Sequence, residues 1–129
     1  MTPVCRLDQI EPESGVTALV EGRAIALFRT HDDRLYALDN YDPFAQASVL
    51  ARGIVGTLTR DGEVVDMVAS PMHKQRFDLR TGRCLDDPAV GVPAYDVALK
   101  GDLVLVGGVR ARDAGAYAGA PTGHGGADE

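Results

Sequence analysis

Short runs of β-branched and apolar residues follow one another along most of the chain, each closed by residues that favour a tight turn. This pattern predicts strands at residues 16–20, 23–29, 35–39, 54–58, 64–69, 76–79, 95–99 and 103–106. Between them stand Glu21-Gly22, His31-Asp32-Asp33, Asp61-Gly62, Thr81-Gly82 and Lys100-Gly101, where Gly and Asp accept the positive φ of hairpin-type turns. A strand-turn spacing of about 8–12 residues argues for antiparallel strands in a sandwich or barrel. No long segment carries apolar residues at i, i+3, i+4 and i+7, and residues 43–52 leave room for one or two helical turns after Pro43. The expected class is all-β, an antiparallel sandwich with Phe28, Leu38, Val68, Phe77, Val97 and Val104 in its core.

A chain of 129 residues suits one domain with one hydrophobic core. The division expected is a β domain over residues 1–109 and a disordered tail over residues 110–129, where Ala, Gly and isolated polar residues offer too little apolar surface to offset the entropy of ordering. A net charge of −6 with scattered basic residues argues against nucleic acid. No apolar run is long enough to cross a membrane, and the first residues lack a signal-peptide layout, so the cytoplasm is the expected location. Cys5 and Cys84 form no CxxC and read as two buried free thiols.

The two longest connections, residues 40–53 and 70–75, hold the unusual residues. In sequence they read Asn40-Tyr41-Asp42-Pro43-Phe44 and Ser70-Pro71-Met72-His73-Lys74-Gln75, the second continuing into Arg76-Phe77-Asp78-Leu79 and Thr81-Gly82. Together they resemble the two cluster-binding loops of a Rieske domain, a family that carries Cys-x-His on the first loop and Cys-x-x-His-Gly on the second. The resemblance spans residues 4–107 and places the four ligand positions on Asp42, Phe44, Ser70 and His73. A Rieske [2Fe–2S] centre needs two thiolates on one iron and two imidazoles on the other. Phenylalanine has no lone pair to give, and neither Ser70 nor Asp42 supplies a soft thiolate. Cofactor-binding and metal-binding residues are therefore expected to be absent from this chain, and Lys74 stands where the family has glycine.

A Rieske-like frame with broken ligands is similar to the small subunits of NAD(P)H-dependent assimilatory nitrite reductases. The words that carry this are Ala26-Leu27-Phe28-Arg29, Asp42-Pro43-Phe44 and Ala51-Arg52-Gly53-Ile54-Val55-Gly56. The resemblance implies an oxidoreductase subunit without catalytic residues of its own. Its partner would be a large subunit that holds FAD, siroheme and an iron–sulfur cluster and reduces nitrite to ammonium with NAD(P)H. The alternative is a Rieske-type ferredoxin-like electron carrier. Asp42 reads either as ordinary turn chemistry or as part of a polar clamp facing His73, Lys74 and Arg76. Ser70 reads as structural, and His73 as a hydrogen-bonding loop residue. Phe44, Arg52, Met72 and Lys74 are the candidate partner-binding residues, with the two aromatic or thioether side chains as apolar anchors and the charges setting register.

Overall fold

The structure, a computed structural model describing residues 1–110, is built from eleven strands. They are β1 (Thr2–Arg6), β2 (Ser14–Val20), β3 (Arg23–Arg29), β4 (Leu35–Asp39), β5 (Tyr41–Asp42), β6 (Ala47–Ser48), β7 (Ile54–Arg60), β8 (Glu63–Ala69), β9 (Arg76–Asp78), β10 (Ala94–Lys100) and β11 (Leu103–Val109). Two single 3-10 turns, Leu7–Gln9 and Leu50–Arg52, interrupt them. The turn residues act as their chemistry requires. Glu21 and Gly22 adopt φ of 51° and 80°, and Asp61 and Gly62 adopt 53° and 81°. Two consecutive positive φ values give a hairpin turn whose twist matches that of its strands. The hairpins β2–β3 and β7–β8 accordingly run in unbroken register, from Ser14 opposite Arg29 to Val20 opposite Arg23 and from Ile54 opposite Ala69 to Arg60 opposite Glu63.

Six antiparallel strands form one sheet in the order β1-β11-β10-β4-β3-β2, three form a second in the order β7-β8-β9, and β5 with β6 makes a small hairpin. Side chains alternate across a strand, so a strand covered on both faces feeds two cores. On β3, Ala26 and Phe28 face one way and Ile25 and Leu27 the other, and all four are buried. The first face packs Ala26, Phe28 and Leu38 against Val55, Val68 and Phe77 of the small sheet, which is the sandwich. On the second face the large sheet curls until β1 meets β2, enclosing Ile25, Leu27, Ala37, Tyr95, Val104 and Val106 as in a barrel.

The expected single core is therefore two. Phe28, Leu38, Val68 and Phe77 share the sandwich core, whereas Val104 belongs to the barrel interior, where Val97 is only half-buried. Strand β1 was not among the expected runs, since Pro3 breaks its pattern. It lies at an edge of the sheet, where a residue without an N–H is tolerated. Residues 43–46 turn the β5–β6 hairpin instead of starting a helix, and the only helical turn in that stretch is Leu50–Arg52. Cys84 is buried in the sandwich core, but Cys5 is only half-buried against the barrel. The tail expected from residue 110 lies outside the described residues except for Arg110. That residue donates its N–H to the Ala94 carbonyl (2.9 Å) and its guanidinium to the Arg80 carbonyl (2.6 Å), so it is part of the domain. Among the described residues no helix is long and apolar enough to cross a membrane.

Candidate functional site

Asn40 sets the first of the two long loops on the large sheet. Its N–H donates to the Ala24 carbonyl (3.0 Å), its own carbonyl accepts the Leu50 N–H (3.1 Å), and its side-chain Oδ1 accepts the Ala51 N–H (2.7 Å). One buried amide thus gathers both ends of the loop onto β3. Within the loop Asp42 shapes the turn, its Oδ1 accepting the N–H groups of Phe44 (2.9 Å) and Ala45 (3.3 Å) while its carbonyl accepts from Gln46 (2.7 Å). Aspartate commonly bonds the backbone just ahead of it in this way.

The second loop leaves β8 at Ser70 and returns at Gln75. Ser70 N–H donates to the Gln75 carbonyl (2.9 Å), Lys74 N–H donates to the Ser70 carbonyl (3.1 Å), and Ser70 Oγ accepts the Met72 N–H (3.3 Å). Lys74 has φ of 63°, the left-handed conformation that glycine adopts without cost, and its side chain is exposed. Phe44 leans from the first loop onto Phe77 of β9, ring centroids 6.2 Å apart and planes at 54°, a tilted contact of the kind aromatic pairs favour.

The two loops meet at one point. Ser70 Oγ–H donates to Asp42 Oδ2, and both side chains are shut away from solvent. Two of the four ligand positions inferred from sequence are thus hydrogen-bonded to each other, a third leans on Phe77 in a tilted contact, and the fourth, His73, is exposed. The clamp expected between Asp42 and His73, Lys74 or Arg76 is corrected: Asp42 turns to Ser70 instead. Arg76 is engaged by Asp86 at 2.7 Å, and that guanidinium holds the Asp86 carboxyl below the usual aspartate range. His73 likewise has no hydrogen-bond partner among the described residues. Of the four residues expected to face a partner, Arg52, Met72 and Lys74 are exposed, whereas Phe44 is half-buried and works from below as a support.

These residues do not fit a Rieske cluster. The Phe44 ring offers no donor atom, and the Ser70 hydroxyl and Asp42 carboxylate already satisfy each other and three backbone N–H groups. Cys84 lies behind Phe77, to which its backbone is bridged, and burial pushes its thiol up, so it offers no ready thiolate. Elsewhere the electrostatics are structural. Tyr36 donates to Asp66 (2.9 Å) across the sandwich, and Tyr95 donates to Asp39 (3.3 Å) while accepting from Arg23 (3.0 Å); burial raises both phenols. A cavity of about 430 Å³ at the barrel mouth is lined by residues such as Arg23, Ile25, Tyr95 and Val106, and neither loop contributes to it.

Residues 1–107 match the family of Rieske-like [2Fe-2S] domains. The chain belongs to that family. The Rieske-like domain is 42% identical over 106 residues to the nitrite reductase (NADH) small subunit of Salmonella typhimurium, a match covering 81% of this chain and 94% of that one. Among solved structures it is similar to the nitrite reductase [NAD(P)H] small subunit of Erwinia carotovora, at 47% identity and a TM-score of 0.65, over 81% of this chain and 78% of that one. It is also 41% identical over 104 residues to part of the nitrite reductase [NAD(P)H] large subunit of Klebsiella oxytoca, a match covering 81% of this chain but only 10% of that much longer one. The all-β architecture expected from the strand pattern, and the Rieske-like fold implied by the resemblance of the two loops, are thus shared with the solved relative.

What the sequence reading missed is the pairing of Asp42 with Ser70. A signal for it was present. The two positions correspond to the family's two cysteines, which share one iron, and residues that replace two ligands of one atom must lie within reach of each other.

Proposed function

We propose that this chain is the small, non-catalytic subunit of a cytoplasmic NAD(P)H-dependent nitrite reductase, docking on a large subunit that carries the FAD, siroheme, iron–sulfur cluster and NAD(P)H site and reduces nitrite to ammonium. The observation that carries this reading is the Asp42–Ser70 hydrogen bond at the two cysteine positions: two residues bonded to each other stand where a [2Fe–2S] centre needs thiolates. An electron carrier needs that centre, whereas a docking subunit needs only a defined surface. The Klebsiella large subunit, which contains a stretch similar to this chain, supports the choice of partner.

The face assigned to docking is the pair of loops, with Arg52, Met72 and Lys74 exposed and Phe44 beneath them. Met72 is 55% exposed, unusual for a thioether, and adaptable Met side chains suit recognition. The test is binding of the purified large subunit to the wild-type chain and to Met72→Ala, Arg52→Ala and Lys74→Glu. A hot-spot side chain at the centre of the interface costs about 2 kcal/mol or more on truncation, roughly thirtyfold in Kd. Unchanged affinity in all three moves the interface elsewhere on the domain. Absence of binding by the wild type removes the assignment.

A further inference from the structure

We propose that Asp42 and Ser70 are positioning residues: their hydrogen bond does, with atoms of the chain alone, what a bound cluster does at these two positions in the ligand-bearing members of the family. It holds the two loops in one arrangement. That this arrangement serves docking rests on the function proposed above, whereas the tie itself rests on geometry.

The donor count makes the pair specific. A hydroxyl has one hydrogen and two lone pairs. Ser70 Oγ sends its hydrogen to Asp42 Oδ2 and takes the Met72 N–H on a lone pair. Asp42 keeps Oδ1 for the N–H groups of Phe44 and Ala45. Each side chain therefore shapes its own loop with one atom or lone pair and reaches the other loop with what remains. Neither has a flexible stem, so the link fixes the separation of the two backbones in a way that a lysine or arginine bridge would not. Among the described residues no nearby charged group duplicates it: His73 and Lys74 are exposed and Arg76 faces Asp86. Because both side chains are buried, removing either partner leaves the other's polar group without water to replace it.

The test uses the full chain and residue-resolved amide hydrogen exchange. Asp42→Ala, Ser70→Ala and the double variant are compared with the wild type at the Phe44, Ala45, Met72 and Lys74 amides, with Leu27 and Val104 in the barrel as references. The tie predicts that each single change speeds exchange in both loops by about tenfold or more, with the barrel amides slowed or quickened far less. It also predicts that the double variant is no faster than the faster single one, since the second change removes a group whose partner is already gone. Additive effects, or equal acceleration in the barrel, overturn the tie.

Should the alanine variants fail to fold, Ser70→Cys keeps the side-chain shape while exchanging the hydroxyl that donates to Asp42 for a thiol, a weak donor. Loop exchange unchanged in that variant is equally fatal. Wild-type exchange is expected to be the same before and after treatment with an iron chelator, and loops that quicken on chelation refute the proposal. Finally, Ser70→Ala is expected to lower affinity for the large subunit by about tenfold. Intact affinity beside loosened loops overturns the docking role of the tie. Coupled loops in a wild type that binds no large subunit leave the tie standing and remove the proposed function instead.

Discussion

Gly53 follows the 3-10 turn Leu50–Arg52, where the first long loop passes under the end of β8. A Cβ there would fall 2.7 Å from Val68 Cγ2 and inside contact distance of the Ala69 carbonyl oxygen. The obstacle is backbone that is already paired with Ile54, so it cannot step aside without breaking the β7–β8 register. Gly53→Ala is expected to destabilise the domain by about 1–3 kcal/mol, the usual range for overpacking. Urea unfolding would show this as a lower midpoint at unchanged m-value; an unshifted midpoint would mean that the loop relaxes freely. Residue-level roles of this kind are hard to read in sequence. Gly22 and Gly62 stand in recognisable turn pairs, but Gly53 has an ordinary φ of −74°, and only the fold reveals what crowds it. Asp42 and Ser70 are similar: each is intelligible locally as a turn residue, and their union across 28 positions appears only when β4 and β8 have been placed on facing sheets.

Strands were the most legible elements, because a period of two and a turn pair at each end are local properties. Residues 23–29 and 35–39 coincide with β3 and β4, and most of the other runs differ by one to three residues at their ends. Short elements fixed by distant partners were not legible. Strand β1 depends on β11, with Thr2 opposite Val106 and Arg6 opposite Leu103, and the β5–β6 hairpin is too short to carry a period. The link between β9 and the segment after Cys84 is of this distant kind too. Asp86 accepts from the Arg76 N–H (2.8 Å) and from its guanidinium (2.7 Å). The guanidinium lowers the Asp86 pKa, so the stabilisation from this group is present above the ordinary aspartate value of 3.8 and is lost as pH falls through the lower folded-state value. Asp86→Asn is therefore expected to be slightly less stable than wild type at neutral pH, less so in high salt because the pair is partly exposed, and equal to it once Asp86 is protonated. Urea midpoints at neutral pH and near pH 2 measure this; a difference that grows on acidification contradicts the pairing.

At the scale of the whole molecule, the curled sheet and the sandwich share strands β3 and β4, so the sheet that closes the barrel also seats the first loop, through Asn40 on Ala24. The barrel closes where β1 meets β2, and on its other side β1 pairs with β11, Thr2 lying opposite Val106 and the Met1 side chain over Gly107. The first and last described strands are consequently neighbours. Neighbouring ends make a domain a cassette, able to enter a longer polypeptide through two adjacent stems without opening its core. The same geometry predicts that the ends can be exchanged. A circular permutant in which a short glycine-serine linker joins residue 110 to residue 2, with new ends cut at the exposed Asp61-Gly62 turn, is expected to fold with a wild-type circular dichroism spectrum and one cooperative thermal transition. Collapse of that permutant would mean that β7 and β8 must be covalently joined to pair, and that the seam between β1 and β11 is not where this fold tolerates being rewired.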